Sequence, residues 1–283
     1  MTRRAAGDQS DWTVPQDWDA YTPDEHRLWD LLCARQLEVL PGRAADAFMR
    51  GLDRLRLHGA GIPDFQRLNA ELAALTGWSI VAVPGLVPDE VFFEHLANRR
   101  FPAGRFIRRP DQLDYISEPD IFHDVFGHAP LLADPVFGDY LQAYGAGGLR
   151  SMGLNALDNL ARLYWYTVEF GLIATPDGLR IYGAGIVSSP AESVFALESA
   201  SPHRIGFDLE RIMRTAYRID DFQQSYFVIE SFDQLFAATA QDFAPIYQRL
   251  ASAAPLGVTD LLPGDDVRQR GDQSYANRAV PAV

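Results

Sequence analysis

Between residues 24 and 250 the apolar residues recur at spacings of three and four through the stretches 24–39, 43–57, 63–76, 88–99, 135–144, 155–173, 190–199, 207–216 and 232–250. Such spacing lays one apolar stripe along each helix, and helices built this way persist only when their stripes are buried against one another. The chain is therefore expected to be mainly α, a single helix-rich body. Pro63-Asp64, Pro88-Asp89 and Ser231-Phe-Asp233 read as helix starts, where a side-chain oxygen or a fixed φ serves the first turn. Three stretches, 79–83, 179–182 and 226–229, concentrate β-branched and aromatic residues and predict a few short strands. There is no internal repeat and no central linker. Residues 1–20 and 263–283, rich in Asp, Gln, Arg, Gly and Pro, read as tails, which leaves 21–262 as one domain.

Composition narrows the chemistry. With 283 residues, 47% of them hydrophobic, there is enough apolar material for a sizeable core. Acids outnumber bases by 38 to 25, a formal charge of −13, which repels phosphate backbones and argues against nucleic acid as a partner. All 25 bases are Arg. Without a Lys there is no Schiff base, no pyridoxal-phosphate chemistry and no phosphate loop of the usual kind. Cys33 is the one cysteine, so an internal disulfide, an iron–sulfur cluster and a cysteine zinc site are excluded. Any metal must be held by His and carboxylates. No run approaches about 18 consecutive apolar residues, so no membrane partner is expected, and the cytoplasm is the expected compartment.

Two of the six histidines, His123 and His128, fall in the segment Glu118-Pro-Asp-Ile-Phe-His-Asp-Val-Phe-Gly-His-Ala-Pro130. A spacing of five is not the i, i+4 pair of a zinc protease helix. On an ideal α-helix it turns the two side chains about 140° apart. Both reach one metal if the helix ends or bends near the second, and Gly127 and Pro130 supply residues for such an ending. The bland reading is two unrelated polar histidines at a helix end. A third ligand is available in Leu160-Ala-Arg-Leu-Tyr-Trp-Tyr-Thr-Val-Glu-Phe-Gly171, where Glu169 lies in an aromatic helix with Trp165 four residues before it, on the same face. A carboxylate there is costly without compensation, from a cation or from one of the many Arg. Two His and one carboxylate suit Fe(II) with open positions, and three protein ligands also suit a catalytic zinc.

The words around these residues add a resemblance. Glu118-Pro-Asp-x-x-His-Asp-x-x-Gly-His128, Tyr164-Trp-Tyr-Thr-Val-Glu-Phe-Gly171 and Tyr182-Gly-Ala-Gly-Ile-Val-Ser-Ser189 occur in that order, with Val81-Ala-Val-Pro-Gly-Leu86 and Phe92-Phe-Glu-His-Leu-Ala-Asn-Arg-Arg-Phe-Pro102 before them. The chain resembles the pterin-dependent aromatic amino acid hydroxylases, most closely the single-domain bacterial phenylalanine 4-hydroxylases, from about Trp12 to Leu262.

The resemblance implies that 21–262 is a catalytic domain of that family's fold, in which His123, His128 and Glu169 hold a mononuclear Fe(II). It implies that Phe92 stacks on a tetrahydropterin, that Gly85, Leu86 and Tyr164 line the same pocket, and that Asp124 stands where many relatives carry a Glu. By core statistics alone Phe92 would be simple packing. Arg108, within Arg105-Phe-Ile-Arg-Arg109, takes the place of the family's carboxylate-binding Arg, supported by Asp120, while Pro119, Trp165 and Ser188 shape the substrate pocket. One departure is Ile116, where mammalian phenylalanine hydroxylases carry a Thr. The implied reaction converts L-phenylalanine, O2 and tetrahydropterin to L-tyrosine and 4a-hydroxytetrahydropterin, with small molecules as the partners. Tyrosine-hydroxylating relatives place an Asp at the position of Ile219, so an apolar ring is expected as substrate. Competing readings are tryptophan hydroxylation, attack at another ring carbon, and a non-catalytic metal or pterin binder. The larger relatives' regulatory domain and assembly helix find no room here, so a monomer without substrate activation is expected.

Overall fold

The computed structural model describes residues 11–114, 116 and 118–278. The chain opens with α1 (Pro23–Val39), α2 (Asp46–Leu55) and α3 (Phe65–Leu75), then β1 (Ser79–Val83), α4 (Asp89–Ala97) and β2 (Arg100–Gly104). A π-helix, Phe122–His128, runs into α5 (Ala129–Leu132), followed by α6 (Pro135–Ser151) and α7 (Leu157–Tyr164), which continues as a second π-helix, Trp165–Glu169. Next come β3 (Leu172–Thr175), β4 (Gly178–Ile181), α8 (Ala184–Val187), α9 (Pro190–Glu198), β5 (His203–Gly206) and α10 (Leu209–Arg214). The order closes with β6 (Ser225–Ile229), α11 (Phe232–Thr239), α12 (Ala244–Leu250) and β7 (Val267–Gln269). The expected mainly α architecture is the one observed.

Local chemistry sets the boundaries. At α1 the Glu25 amide donates to Thr22 Oγ1 and the Thr22 amide donates to the Glu25 carboxylate, a reciprocal cap. Asp64 and Ser231 cap α3 and α11 by accepting from the amides of Gln66 and Gln234. Pro88 precedes α4 with φ −58° and makes no side-chain cap. The stretch 232–250 is two helices because Pro245 sits in the first turn of α12 and has no N–H with which to continue α11. The stretch 155–173 is likewise not one helix. After Gly171, the residues Leu172–Thr175 pair with β4 and β6.

Five strands form a sheet in the order β4-β3-β6-β5-β7, and β1 pairs with β2 in parallel. The three expected strands are β1, β4 and β6. Pro102 hid β2, yet β2 has a neighbour on one side only, and an edge strand tolerates a missing donor. Charge hid β5: Arg204 is fully buried because its guanidinium donates to the carbonyls of Ala196 (2.7 Å) and Ser199 (3.0 Å), which capping of α9 leaves free.

The stretches expected as tails are held on the body where they are described. Val14 donates to the Ala82 carbonyl (2.9 Å) and Trp18 Nε1 to the Ile62 carbonyl (2.7 Å). Beyond residue 262, β7 pairs with β5, and the Gly271 amide donates to His203 Nδ1 (2.8 Å). Isolated side chains add to these bonds: Val14 packs against the core, and Tyr275 meets Phe195 and Phe222 at 5.0 and 5.3 Å. Among the described residues no helix is long and apolar enough to cross a membrane.

The core gathers on the first π-helix. Phe122 and Phe126 stack at 4.7 Å, with Trp29 of α1 at 5.3 Å from Phe122 and Phe48 of α2 at 6.1 Å from Phe126. One core acid stands apart: Glu192 of α9 is 5% exposed and accepts from the Tyr226 hydroxyl and the Gln223 amide (3.3 Å). Burial pushes its carboxyl up to about 7 against those hydrogen bonds, with Asp221 adding to the rise. The folded state thus holds a proton that the unfolded chain releases near its ordinary value. The contribution to stability is complete below about 4.5 and is lost as pH rises towards 7, at about 1.4 kcal/mol per unit. Between pH 5 and pH 8 the melting temperature should therefore fall further in the parent than in Glu192→Gln. Parallel pH profiles of the two would contradict this.

Candidate functional site

The two histidines meet by a route other than a helix end. Phe122–His128 is a π-helix, in which residue i bonds to i+5, and its wider turn brings side chains five apart much nearer one face than an α-helix does. The imidazoles of His123 and His128 lie 5.2 Å apart, edge to face. The helix does not stop at Gly127 or Pro130, since Pro130 sits in the first turn of α5. Gly127 serves close approach instead: a Cβ there would come within 3.1 Å of Ala184 in α8.

Glu169 comes from the second π-helix, whose register also corrects its neighbours. The Phe170 amide donates to the Trp165 carbonyl (2.8 Å), an i, i+5 bond. Tyr164, five residues before Glu169, shares its face and lines the same cavity. Trp165, four before it, is not among those lining residues and stacks on Tyr217 (4.4 Å, 18°) beside Phe170 (4.8 Å, 31°). The Tyr182-Gly-Ala-Gly motif packs under this end, since a Cβ on Gly183 would stand 2.3 Å from the Glu169 carbonyl.

The three side chains converge. His128 Nε2 lies 3.2 Å from Glu169 Oε1 and His123 Nε2 lies 3.4 Å from Oε2, with ligand atoms from all three within 4.8 Å of one another. Two donors at about 2.1 Å from one ion and at right angles stand about 3 Å apart, so the set fits a metal. Glu169 faces histidines rather than the Arg that the bland reading supplies. Ser188 donates its proton to the Ala184 carbonyl (2.7 Å), so it accepts from His123 Nδ1 (3.1 Å) and leaves Nε2 for the centre.

Electrostatics agree. Although burial favours its neutral form, Glu169 is held well below the usual carboxylate range by both imidazoles. Burial lowers His123 too, but the Glu169 charge overrides it and raises it to about 9, whereas burial keeps His128 below its ordinary value. The cluster thus attracts positive charge around one ionised acid and one neutral imidazole. A metal supplies that charge in place of a proton. Asp124 is pushed up to about 7 by burial, against the pull of His123, and accepts from the Gly104 amide (2.7 Å).

A cavity of about 260 Å³ opens on the triad. Of the residues expected around pterin, Gly85, Leu86, Phe92, Asp124 and Tyr164 all line it, and the Phe92 ring meets Tyr164 edge-on at 5.6 Å. Pro119 lines it as well. Arg108, Asp120, Trp165 and Ser188 lie outside that lining. Arg108 and Asp120 are a buried pair: Nε and Nη2 each donate to the carboxylate at 2.9 Å, and Asp120 also accepts from the His123 amide (3.0 Å). That pair ties the Arg to the helix that carries His123 and His128. Phe101 and Pro102 of β2 also line the cavity, with Phe101 tilted 4.5 Å over His128. The missed strand concealed them. Ile219 is 73% exposed and does not line the cavity, so it carries no argument about the ring.

A helix-rich domain presenting two His and one carboxylate beside an aromatic cavity has the donor set that suits a mononuclear metal centre with open positions. The model of the biopterin-dependent aromatic amino acid hydroxylases matches residues 13–252, and the chain belongs to that family. It is 66% identical to the phenylalanine-4-hydroxylase of Caulobacter vibrioides over 270 residues, 95% of this chain and 92% of that one. It is similar in structure to the Chromobacterium violaceum phenylalanine hydroxylase with bound oxidised Fe(III), at TM-score 0.90 and 61% identity over 93% of this chain and 95% of that one. The iron- and phenylalanine-bound form of that enzyme superposes at TM-score 0.88 and 60% identity, over 92% and 95%.

Proposed function

We propose that this chain is a phenylalanine 4-monooxygenase, converting L-phenylalanine, O2 and a tetrahydropterin to L-tyrosine and a 4a-hydroxytetrahydropterin, with Fe(II) held by His123, His128 and Glu169. The observation that carries the reading is the convergence of three ligand atoms within 4.8 Å at the wall of a cavity lined by Phe92 and Tyr164. The names and bound species of the relatives support the substrate and the metal. When bound, iron and pterin supply the activation of O2, which no side chain here offers.

The residues hold and orient. Phe92 offers its ring to the pterin, with Gly85, Leu86 and Tyr164 closing the pocket and Asp124 at its polar edge. Arg108 binds the substrate carboxylate. Asp120 and the Leu113 carbonyl (3.5 Å) take three of its five N–H groups, which leaves two for a second carboxylate. Pro119, Trp165 and Ser188 place the ring. The proposal includes a monomer in the cytoplasm, where the one thiol, buried Cys33, stays reduced. Incubation with Phe, Trp and Tyr in parallel, with tetrahydropterin and with iron added or chelated, tests it. Tyrosine from Phe, only with iron and pterin, is the expected product. Preferential hydroxylation of Trp, or no product at all, would overturn it.

Phe92→Ala should raise the apparent pterin constant up to about tenfold, because stacking contributes roughly 0.5–1.5 kcal/mol beyond burial. Iron content should not change. An unaltered pterin constant would return Phe92 to simple packing.

A further inference from the structure

Behind the triad, Trp165 is held by an arrangement that packing alone does not require. Its indole Nε1 donates to Gln223 Oε1 (3.0 Å). Gln223 is 3% exposed, and its Nε2 donates to the carbonyls of Arg218 (2.8 Å) and Asp221 (3.3 Å). Those two bonds fix which end of the amide faces the indole. Its backbone amide donates to Glu192, which also receives the Tyr226 hydroxyl from β6. Tyr217 stacks on the indole and Phe170 lies against it at a tilt, so two rings and one hydrogen bond set its plane. Phe170 directly follows Glu169, so this plane is set within one residue of the proposed metal ligand.

We propose that Gln223, anchored by Glu192, is a positioning residue that fixes the plane of Trp165 and through it the place of the substrate ring relative to the metal. The inference rests on the reading of Trp165 as part of the substrate pocket. A ring free to shift by about a bond length offers a different carbon for attack, so the consequence is regiospecificity as well as affinity.

The test uses the iron-loaded full chain and reads three quantities: KM for phenylalanine, KM for tetrahydropterin, and the ratio of tyrosine to its ring-position isomers. Gln223→Met keeps volume but removes the acceptor. It should raise the phenylalanine KM about tenfold and release isomers of tyrosine, with the pterin KM unchanged. In a Trp165→Phe background, where the indole donor is already gone, the same substitution should add little. Parent values of the phenylalanine KM and product ratio in Gln223→Met would overturn the proposal, as would an undiminished effect in the Trp165→Phe background. If Gln223→Met does not fold, Gln223→Asn withdraws the oxygen by one methylene and should show the same shifts in smaller degree; parent values there overturn the proposal equally. Trp165→Phe separates the two layers. Parent behaviour in it removes Trp165 from the substrate pocket and this inference with it, whereas an altered Trp165→Phe beside a silent Gln223→Met removes only the role of Gln223.

Discussion

Glu169→Gln should give a folded protein that has lost its metal. The substitution keeps the shape of the side chain but removes the charge that both His123 Nε2 and His128 Nε2 face at 3.4 and 3.2 Å. A hard cation is held by carboxylate charge, and changing an outer partner of a ligand already costs 10–100-fold in affinity. Loss of the ligand itself should therefore weaken Fe(II) binding by more than about 100-fold, with tyrosine formation falling in step and recovering partly in excess iron. The rival account, a buried acid neutralised by Arg, makes the opposite forecast: about 3–5 kcal/mol of lost stability and intact iron binding in what remains folded. Thermal melting, iron titration and turnover on one preparation separate the two accounts. Normal iron affinity with near-parent turnover would remove Glu169 from the centre.

Asp120→Ala should damage both stability and substrate binding. Arg108 is 6% exposed and Asp120 is fully buried, so removing the acid strands a guanidinium in the core and leaves the His123 amide without its acceptor. Breaking a buried pair from one side costs about 3–5 kcal/mol. For a chain of this size that lowers the melting temperature by about 6–20 °C. Since Asp120 aims Arg108, the phenylalanine KM should rise as well, while the pterin KM holds. Asp120→Asn, which keeps one acceptor oxygen for Arg108 Nη2 and the His123 amide but loses the charge and the acceptor for Arg108 Nε, should fall between the two. A melting temperature within a degree or two of the parent would show that the Arg108–Asp120 pair does not organise this corner.

The residue types of the site are legible in the sequence, whereas their geometry is not. His123, His128 and Glu169 stand out because a chain with one cysteine must hold any metal by His and carboxylates. Their convergence depends on two π-helices, and α-helical spacing cannot announce a π register. That is why five residues looked like a 140° turn and Trp165, rather than Tyr164, looked like the face-mate of Glu169. The helix starts at Asp64 and Ser231 were readable because capping is local. By contrast β2, β5 and β7 carry Pro102, Arg204 and exposed polar residues, and become strands only through partners distant in sequence. The Arg108–Asp120 pair spans twelve positions and followed from the resemblance, whereas the Gln223–Trp165 bond spans 58 and no local pattern signals it.

The central claim is that one iron, held by these three side chains, is what makes the cavity catalytic. The most direct measurement is titration of metal-free protein with Fe(II), following bound metal and tyrosine formation from phenylalanine and tetrahydropterin together. The account predicts that both curves break at one iron per chain and that Glu169→Gln shows neither break. Tyrosine formation before any metal is added, or an unchanged titration in Glu169→Gln, would contradict it.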